Sequence, residues 1–289
     1  MNYLDSLEAL RTQFPSYKSG VTLHNYSIKK VTKASIVMRI TLLSLVILTV
    51  YGFYTFDYKD IRIIDAITQA LTTFKTMFTQ PRFNHFNFGQ GVYQVAVTLG
   101  LTFLTTLIGA FIALFLGLFA AQNLSSTVVS NAIKSFVAVI RAIDTVLWVL
   151  IFAVAAGLGS VAAVIGMTFH TIGYLIKAYS ESFEELDPGV IEALRGSGAN
   201  WWQIVFQAVI PSSATSLLSW TFMRFEINYA VAVAMGAAAG AGGIGFELFM
   251  AGNHYYDLRE VGLITYFILS VAIVLELVSI RLKLRLNTH

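Results

Sequence analysis

Four charged residues stand inside long apolar runs: Arg141 and Asp144 in one, Arg224 and Glu226 in another. A lone charge at the centre of a bilayer costs at least ~2.5–3.5 kcal/mol on insertion scales, so such side chains face a bundle interior and find partners. Arg141 and Asp144 are three apart, share a helix face, and are expected to pair directly. Arg224 and Glu226 are two apart and do not face each other. Arg224 can instead reach Asn228, four residues on, or a neighbouring helix. The chemistry on offer is recognition, with no bond making. A guanidinium can hold two oxygens of an oxyanion through parallel hydrogen bonds. Arg141, Arg224, Glu226 and Asn228 are therefore candidates for a polar path through the membrane. Structural cross-links between spans are the competing reading, above all for Asp144 and Glu226. The four formal charges sum to zero, so they do not make an anion trap by themselves.

Catalytic constellations are missing. Neither HExxH nor GxSxG occurs, and Asp144 is the only Asp clearly within a span. There is no Gly-x-x-x-x-Gly-Lys-Ser/Thr string, so the chain carries no P-loop ATPase. The glycine-rich GAGGIG at 240–245 lacks the lysine and reads as a flexible turn after a span. Zero cysteines exclude disulfides, thiolate metal sites and cysteine nucleophiles. His24, His85, His254 and His289 are scattered over loops and tails without metal-ligand spacing. His170 and Lys177 share one helix face, with His170 read as a hydrogen-bonded bundle residue. Glu276 is expected to pair within the bundle or snorkel inward. No metal is expected, and the chain reads as a non-enzyme.

Long helices must carry these residues. The chain is 56% hydrophobic and 12% charged, with mean hydropathy +0.70; soluble domains sit near ~45–50% and ~25%. An integral membrane protein follows. Spans need roughly 20 apolar residues, and six are expected, at about 36–56, 92–121, 132–156, 159–178, 212–236 and 260–280. Residues 1–35 read as a cytoplasmic arm. Residues 36–90 hold the first span and an external stretch whose rhythm of Ile61, Ile64, Ile67, Leu71, Phe74 and Phe78 predicts a helix at the membrane surface. The core is 91–289. Its polar loop, 181–211, predicts an amphipathic helix from about Pro188 to Ser197 that can dock into a cleft of a soluble partner. Gly198 permits a tight turn or close approach. A second helix starts at Trp201, and Pro211 opens the next span where its missing N–H costs nothing. Trp201 and Trp202 suit the inner interface or a partner's groove, and the small residues 236–240 suit close helix packing.

With loop 181–211 and both termini inside, inside segments hold twelve Lys and Arg against five outside, as the positive-inside rule requires. The net charge of +3 and pI near 9.0 report this asymmetry and call for no nucleic acid.

Glu192-Ala193, Gly198 and Pro211 have the spacing of the loop by which membrane subunits of ABC importers grip their ATPase. From about 92 to 250 the chain resembles the permease of phosphonate-type ABC importers. The stretches that carry the resemblance are VTLGLTFLTTLIGAFIALFLGLFAAQN, RAIDTVLWVLIFAVAAGLG, FHTIGYLIKAYSESFEELDPGVIEALRGSGA, FMRFEINYAVAVAMG and GAGGIG. Leu194 replaces a usual Ala, Ala208 a usual Ile, and Asp144 a usual Pro. The resemblance implies an all-α integral membrane protein of six transmembrane helices with a cytoplasmic coupling helix, the type I ABC importer permease. Glu192, Ala193, Gly198 and Pro211 would couple it to the ATPase. Its cargo would be phosphonate or a related phosphorus oxyanion; the alternative is another small solute such as methionine. Implied partners are two ATP-binding subunits, a second permease subunit (identical or homologous), an external binding protein and membrane lipid, with no nucleic acid. The chain itself would hold no cofactor, ATP and Mg belonging to the ATPase. Its place would be the cytoplasmic membrane of a prokaryote, both termini inside, with spans that rock about a central site. A channel would lack the coupling loop.

Overall fold

Apolar segments in lipid must satisfy their backbone groups internally, which leaves helices for a chain of this pattern. The computed structural model describes residues 33–55 and 62–286, and all regular structure among them is helical. Most of the expected arm 1–35 lies outside the described residues. Four helices are long and apolar enough to cross a membrane, and six spans result if each of two bent pairs counts as one.

Helix α1 (Lys33–Thr55) belongs to one compact unit and has no buried residue within it. The second unit, from Ile63 onward, carries everything else. It opens with α2 (Ile63–Thr79), the helix expected before Pro81. Tyr266 O–H of the last helix donates to the Phe78 carbonyl, and the two rings meet edge to face.

α3 (Phe88–Ala120) starts at a capping box, in which Asn87 Oδ1 accepts from the Gln90 N–H (2.8 Å) and Gln90 Oε1 from the Asn87 N–H (3.0 Å). At 33 residues it is ~50 Å long, more than the ~30 Å hydrocarbon core. Its buried face carries Gly91, Gly109, Ala113 and Gly117 with Thr98, Thr102, Thr105 and Thr106. Small residues let backbones approach closely, and this face packs on α6 (Ser160–Glu184). α6 is the central helix and touches α3, both halves of the bent third span, and α9.

The third span differs from the expected single helix over 132–156. α4 (Thr127–Ala142) and α5 (Thr145–Ala156) meet at 89°. Ile143 is extended, and Asp144 caps α5 by accepting from the Val146 N–H (2.9 Å). Trp148 Nε1 donates back across the break to the Ile140 carbonyl (2.9 Å), one of the acceptors that a helix end leaves open.

α7 (Pro188–Gly196) is the expected loop helix, begun by Asp187, whose carboxylate accepts from the Gly189 N–H. α8 (Trp201–Ile204) has its own capping box, Asn200 with Gln203. It passes through a π turn at Val205–Val209 into α9 (Ile210–Ala239). Pro211 stands in the first turn of α9, as expected, with helical backbone running into it from the π turn. Its missing N–H and its ring are accommodated where the preceding turn widens.

After Gly240, α10 (Ile244–Phe249) folds back, followed by a π turn (Met250–His254) and α11 (Leu258–Leu286). The GAGGIG turn is packed, in contrast to the flexible turn expected. The Ile244 N–H donates to Thr98 Oγ1 (2.9 Å), and a Cβ on Gly245 would run into the Val233 carbonyl. The 236–240 run is likewise a close packing, since a Cβ on Gly236 would meet Gly242 O at 2.7 Å.

Candidate translocation site and coupling surface

Arg224 lies mid-way along α9 and is 3% exposed; Asn228, one turn on, is fully buried. The expected bond between them is replaced by a shared partner from α6. Thr171 Oγ1 donates to the Met167 carbonyl (2.7 Å) and accepts from Asn228 Nδ2 (3.0 Å) and Arg224 Nε (3.3 Å). Asn228 Nδ2 also reaches Thr106 Oγ1 on α3 (2.9 Å). The Tyr174 ring lies under the guanidinium, 5.1 Å from its centre, a cation–π contact. Arg224 has no carboxylate within ion-pair distance among the described residues. Its Nη2 is buried and makes no hydrogen bond. One helix, α6, thus holds the guanidinium through a hydroxyl and a ring, both neutral, leaving donor capacity for an oxyanion.

The other path candidates sit elsewhere. Glu226 is half-buried on another face of α9. With Glu276 of α11 it lines a groove of about 380 Å³. Neither carboxylate has an ion-pair partner among the described residues, so the pairing expected of Glu276 is not found. Arg141 ends α4 and is exposed. The predicted Arg141–Asp144 pair does not form, because the break removes the shared helix face and turns Asp144 to its capping role. Arg141 lines two cavities, of about 260 and 160 Å³. His170 bonds to the Ile143 backbone at the break and lies in the electrostatic range of Arg224, Arg141 and Asp144, while its Nδ1 is buried without a partner.

At the loop end, α7 is anchored by one face. Ile191 is buried, and Leu194, the residue that departs from the usual Ala, packs into the same core as Leu124, Phe183 and Ile204. Glu192, Ala193 and Gly198 face outward. Gly198 has φ +86° with open space around it, so its requirement is the backbone conformation. Arg195 Nη2 donates to the Asn123 carbonyl (3.2 Å) and Trp201 Nε1 to that of Leu124 (2.9 Å), tying the loop to the turn after α3. Trp202 stays exposed beside Phe206. Ala208 is buried in the π turn, where a larger Ile would crowd the packing.

The far end of the bundle gathers residues that sequence spacing did not connect. Glu260 is 1% exposed. Its Oε1 accepts from the N–H groups of Asn84 (3.3 Å) and His85 (2.8 Å), and its Oε2 from His85 Nδ1 (3.0 Å). Asn84 Nδ2 donates to Asp257 Oδ2 (3.1 Å), and the His85 ring stacks on Tyr255. Burial on its own would raise the Asp257 pKa, yet the N–H of Glu260, the Asn84 amide and the N–H of Arg259 hold it below the usual carboxylate value. His85, Asp257 and Glu260 place ligand-type atoms within 4.8 Å of one another, and internal hydrogen bonds use them.

Thr171, Thr106 and Tyr174 were missed as site residues. A signal for Thr106 was present: Thr98, Thr102, Thr105 and Thr106 fall at i, i+4, i+7 and i+8, a polar stripe in an apolar helix.

Relatives exist for this arrangement. The chain is 31% identical over 180 residues to the phosphate-import permease of Mycolicibacterium smegmatis, covering 62% of this chain and 34% of that protein. It is 28% identical over 183 residues to a phosphite transport system permease of Stutzerimonas stutzeri, covering 63% and 66%. It therefore spans about a third and about two-thirds of their lengths. Among solved structures, the inward-facing methionine ABC transporter MetNI matches 68% of this chain and 95% of its own at TM-score 0.60 and 22% identity, which shows the fold. The pattern of the binding-protein-dependent transport system inner membrane components matches residues 113–288, which hold Thr171, Arg224 and Asn228 and the outward-facing loop helix, and the chain belongs to that family of transport permeases.

Proposed function

We propose that this chain forms the translocation path of an ATP-driven importer for phosphonate or a related phosphorus oxyanion. Its two permease subunits (identical or homologous) would work with two ATPase subunits and an external binding protein. Glu192, Ala193 and Gly198, with Pro211 at the return to the membrane, meet the ATPase on the cytoplasmic side, where both termini also lie. Arg224 and Asn228 face the anion on its way through, with Arg141 nearer the loop end and Glu226 on the flank towards α11.

The observation that carries the cargo is the Arg224 guanidinium, buried among neutral partners with a donor to spare, in a chain whose relatives are named for phosphate and phosphite. The methionine alternative has likeness of fold on its side, at 22% identity. The coupling reading rests on α7, which buries Ile191 and Leu194 and presents Glu192 and Ala193 outward. ATP-driven closure would move this helix as a unit with α3, through Arg195 and Trp201.

The test is the complete complex in proteoliposomes, supplied with ATP and its binding protein. Wild type should accumulate phosphite or methylphosphonate and leave methionine behind. Gly198→Asp should assemble, hydrolyse ATP and fail to accumulate cargo, because an L-residue at φ +86° is strained and a carboxylate intrudes on the partner. Methionine uptake in place of phosphite would refute the cargo. Full uptake by Gly198→Asp would refute the coupling.

A further inference from the structure

The inner half of α6 carries a polar stripe that leaves the Arg224 cluster and runs toward the loop end. Thr171, Tyr174, Lys177, Glu181 and Glu184 follow one another at three- and four-residue steps on one helix face. Tyr174 to Glu184 is ten residues, ~15 Å of helix. Beside the stripe lie the two cavities already described. The smaller is walled by Tyr174, Trp220, Arg141 and Lys177; the larger by Arg141, Lys177, Lys134, Glu181 and Glu184. Arg141, Lys177 and Glu181 border both. One aromatic ring, Tyr174, touches the Arg224 guanidinium on one side and lines the smaller cavity on the other.

Charge in this region does not cancel. Three cations face two carboxylates. Lys134 Nζ lies 2.8 Å from Glu184 and Lys177 Nζ 3.6 Å from Glu181. Both members of the second pair are about half exposed, and pairs of that kind contribute little. Arg141 has no counter-charge within ion-pair distance among the described residues. It sits in the last turn of α4, where the helix dipole holds a cation in place without neutralising it. The larger cavity, about 260 Å³, admits a phosphorus oxyanion of five heavy atoms, which displaces a few waters of ~30 Å³ each.

We propose that Arg141 and Lys177 form a second anion station between the Arg224 cluster and the cytoplasm, with Lys134 at its mouth. It rests on the phosphorus-oxyanion reading above. Cargo leaving Arg224 passes Tyr174, is taken up by the uncompensated Arg141, and displaces Glu181 from the weak pair with Lys177. Glu181 is the competitor that keeps the station from holding its cargo. The return of that carboxylate to Lys177 favours release, so the site binds an anion in transit without trapping it.

The experiment uses the assembled complex in proteoliposomes with the ATPase inside, preloaded with phosphite at graded concentrations. Initial uptake of phosphite is measured for wild type, Arg141→Gln, Lys177→Gln and Glu181→Gln. Preloaded phosphite should slow wild-type uptake by occupying the station from within. Arg141→Gln and Lys177→Gln should raise the half-inhibiting concentration about tenfold, and Glu181→Gln should lower it. A merely structural lesion would change the amount of active complex and leave that concentration where it was. Glu181→Gln removes one exposed carboxylate, so it keeps the question answerable if an Arg141 variant fails to assemble. If wild type imports phosphite but is insensitive to preloading, or if all three variants match it, the station is wrong and the cargo reading stands. If wild type imports methionine and not phosphite, both fall.

Discussion

Arg224 and Glu260 are both charged and almost wholly buried, at 3% and 1% exposure, and they are held in opposite ways. Glu260 is saturated: two backbone N–H groups and the His85 ring donate to its two oxygens. Arg224 has one hydroxyl, one aromatic face and an Nη2 without a partner. A buried charge whose capacity is used up ties chain segments together, here the turn before α3 to the start of α11. A buried charge left partly unused costs stability, and natural structures keep such groups where function needs them. The proposed transport role of Arg224, and an architectural one for Glu260, rest on this contrast.

The sharpest way to break this contrast is to make each site apolar. Arg224→Met should reduce uptake by about a hundredfold or more, about 2.7 kcal/mol at the transition state. It should not lower the thermal midpoint of the assembled complex, because apolar replacement of buried ions is often neutral or stabilising by ~1–4 kcal/mol. Arg224→Lys keeps the charge but loses the two-pronged geometry, and should still lose about tenfold. A Met variant that unfolds, or one that transports normally, would place Arg224 in the same class as Glu260.

Glu260→Leu should show the reverse pattern. It strands the N–H groups of Asn84 and His85 and should lower stability by about 2–4 kcal/mol, while the complex that does assemble keeps near-normal uptake. Glu260→Gln retains an acceptor for both N–H groups and should cost about 1 kcal/mol. Uptake lost in proportion to neither stability nor yield would give Glu260 a transport role that its geometry does not suggest.

A smaller effect tests the bend on the loop side of Arg224. Arg141 and Asp144 were expected to pair, and the 89° break prevents it. Asp144→Ala should lower stability by about 0.5–2 kcal/mol through the lost cap of α5. Arg141→Ala should change stability little, and the double variant should be additive within about 0.5 kcal/mol. Coupling above about 1 kcal/mol would restore the ion pair and make Arg141 structural.

What could be read from sequence was whatever is local. Pro188 behind Asp187 signals the start of α7, and Glu192, Ala193 and Gly198 then fall on its outer side. Six apolar runs match the span count when each of the two bent pairs is taken as one span. The break at Ile143–Asp144 was hidden because its apolar run is continuous, and an intramembrane Asp reads as half of an ion pair before it reads as a helix cap. The capping boxes Asn87–Gln90 and Asn200–Gln203 use Asn and Gln, which give a fainter signal than Ser and Glu at the same spacing. Thr171 sits in the Arg224 cluster through contacts 53 and 57 residues away, and Glu260 meets His85 across 175. No periodicity encodes such pairs. Glycine pattern misleads too: GAGGIG looks loose in one dimension, while Gly245 is fixed by the Val233 carbonyl behind it.

The smallest effect lies beside Glu260 and is read through pH. Asp257 caps α11, accepting from the N–H groups of Arg259 (3.0 Å) and Glu260 (3.2 Å) and from the Asn84 amide. Burial by itself would raise its pKa, and these donors outweigh that and lower it. A folded-state pKa below the unfolded value of ~3.9 means that ionised Asp257 favours the folded chain. That stabilisation is present above the unfolded value and is lost as pH falls through the folded one. Asn ranks with Asp as a helix cap, so Asp257→Asn should cost only a fraction of a kcal/mol at neutral pH, and the difference from wild type should fade as the solution is taken below about pH 4. Arg224→Met should show no such fading, because a guanidinium keeps its proton throughout that range. Thermal midpoints of both variants between pH 3 and pH 7 make the measurement. A deficit of Asp257→Asn that persists unchanged into acid would mean that the cap works through shape alone, and that the carboxylate charge at this end of the bundle is idle.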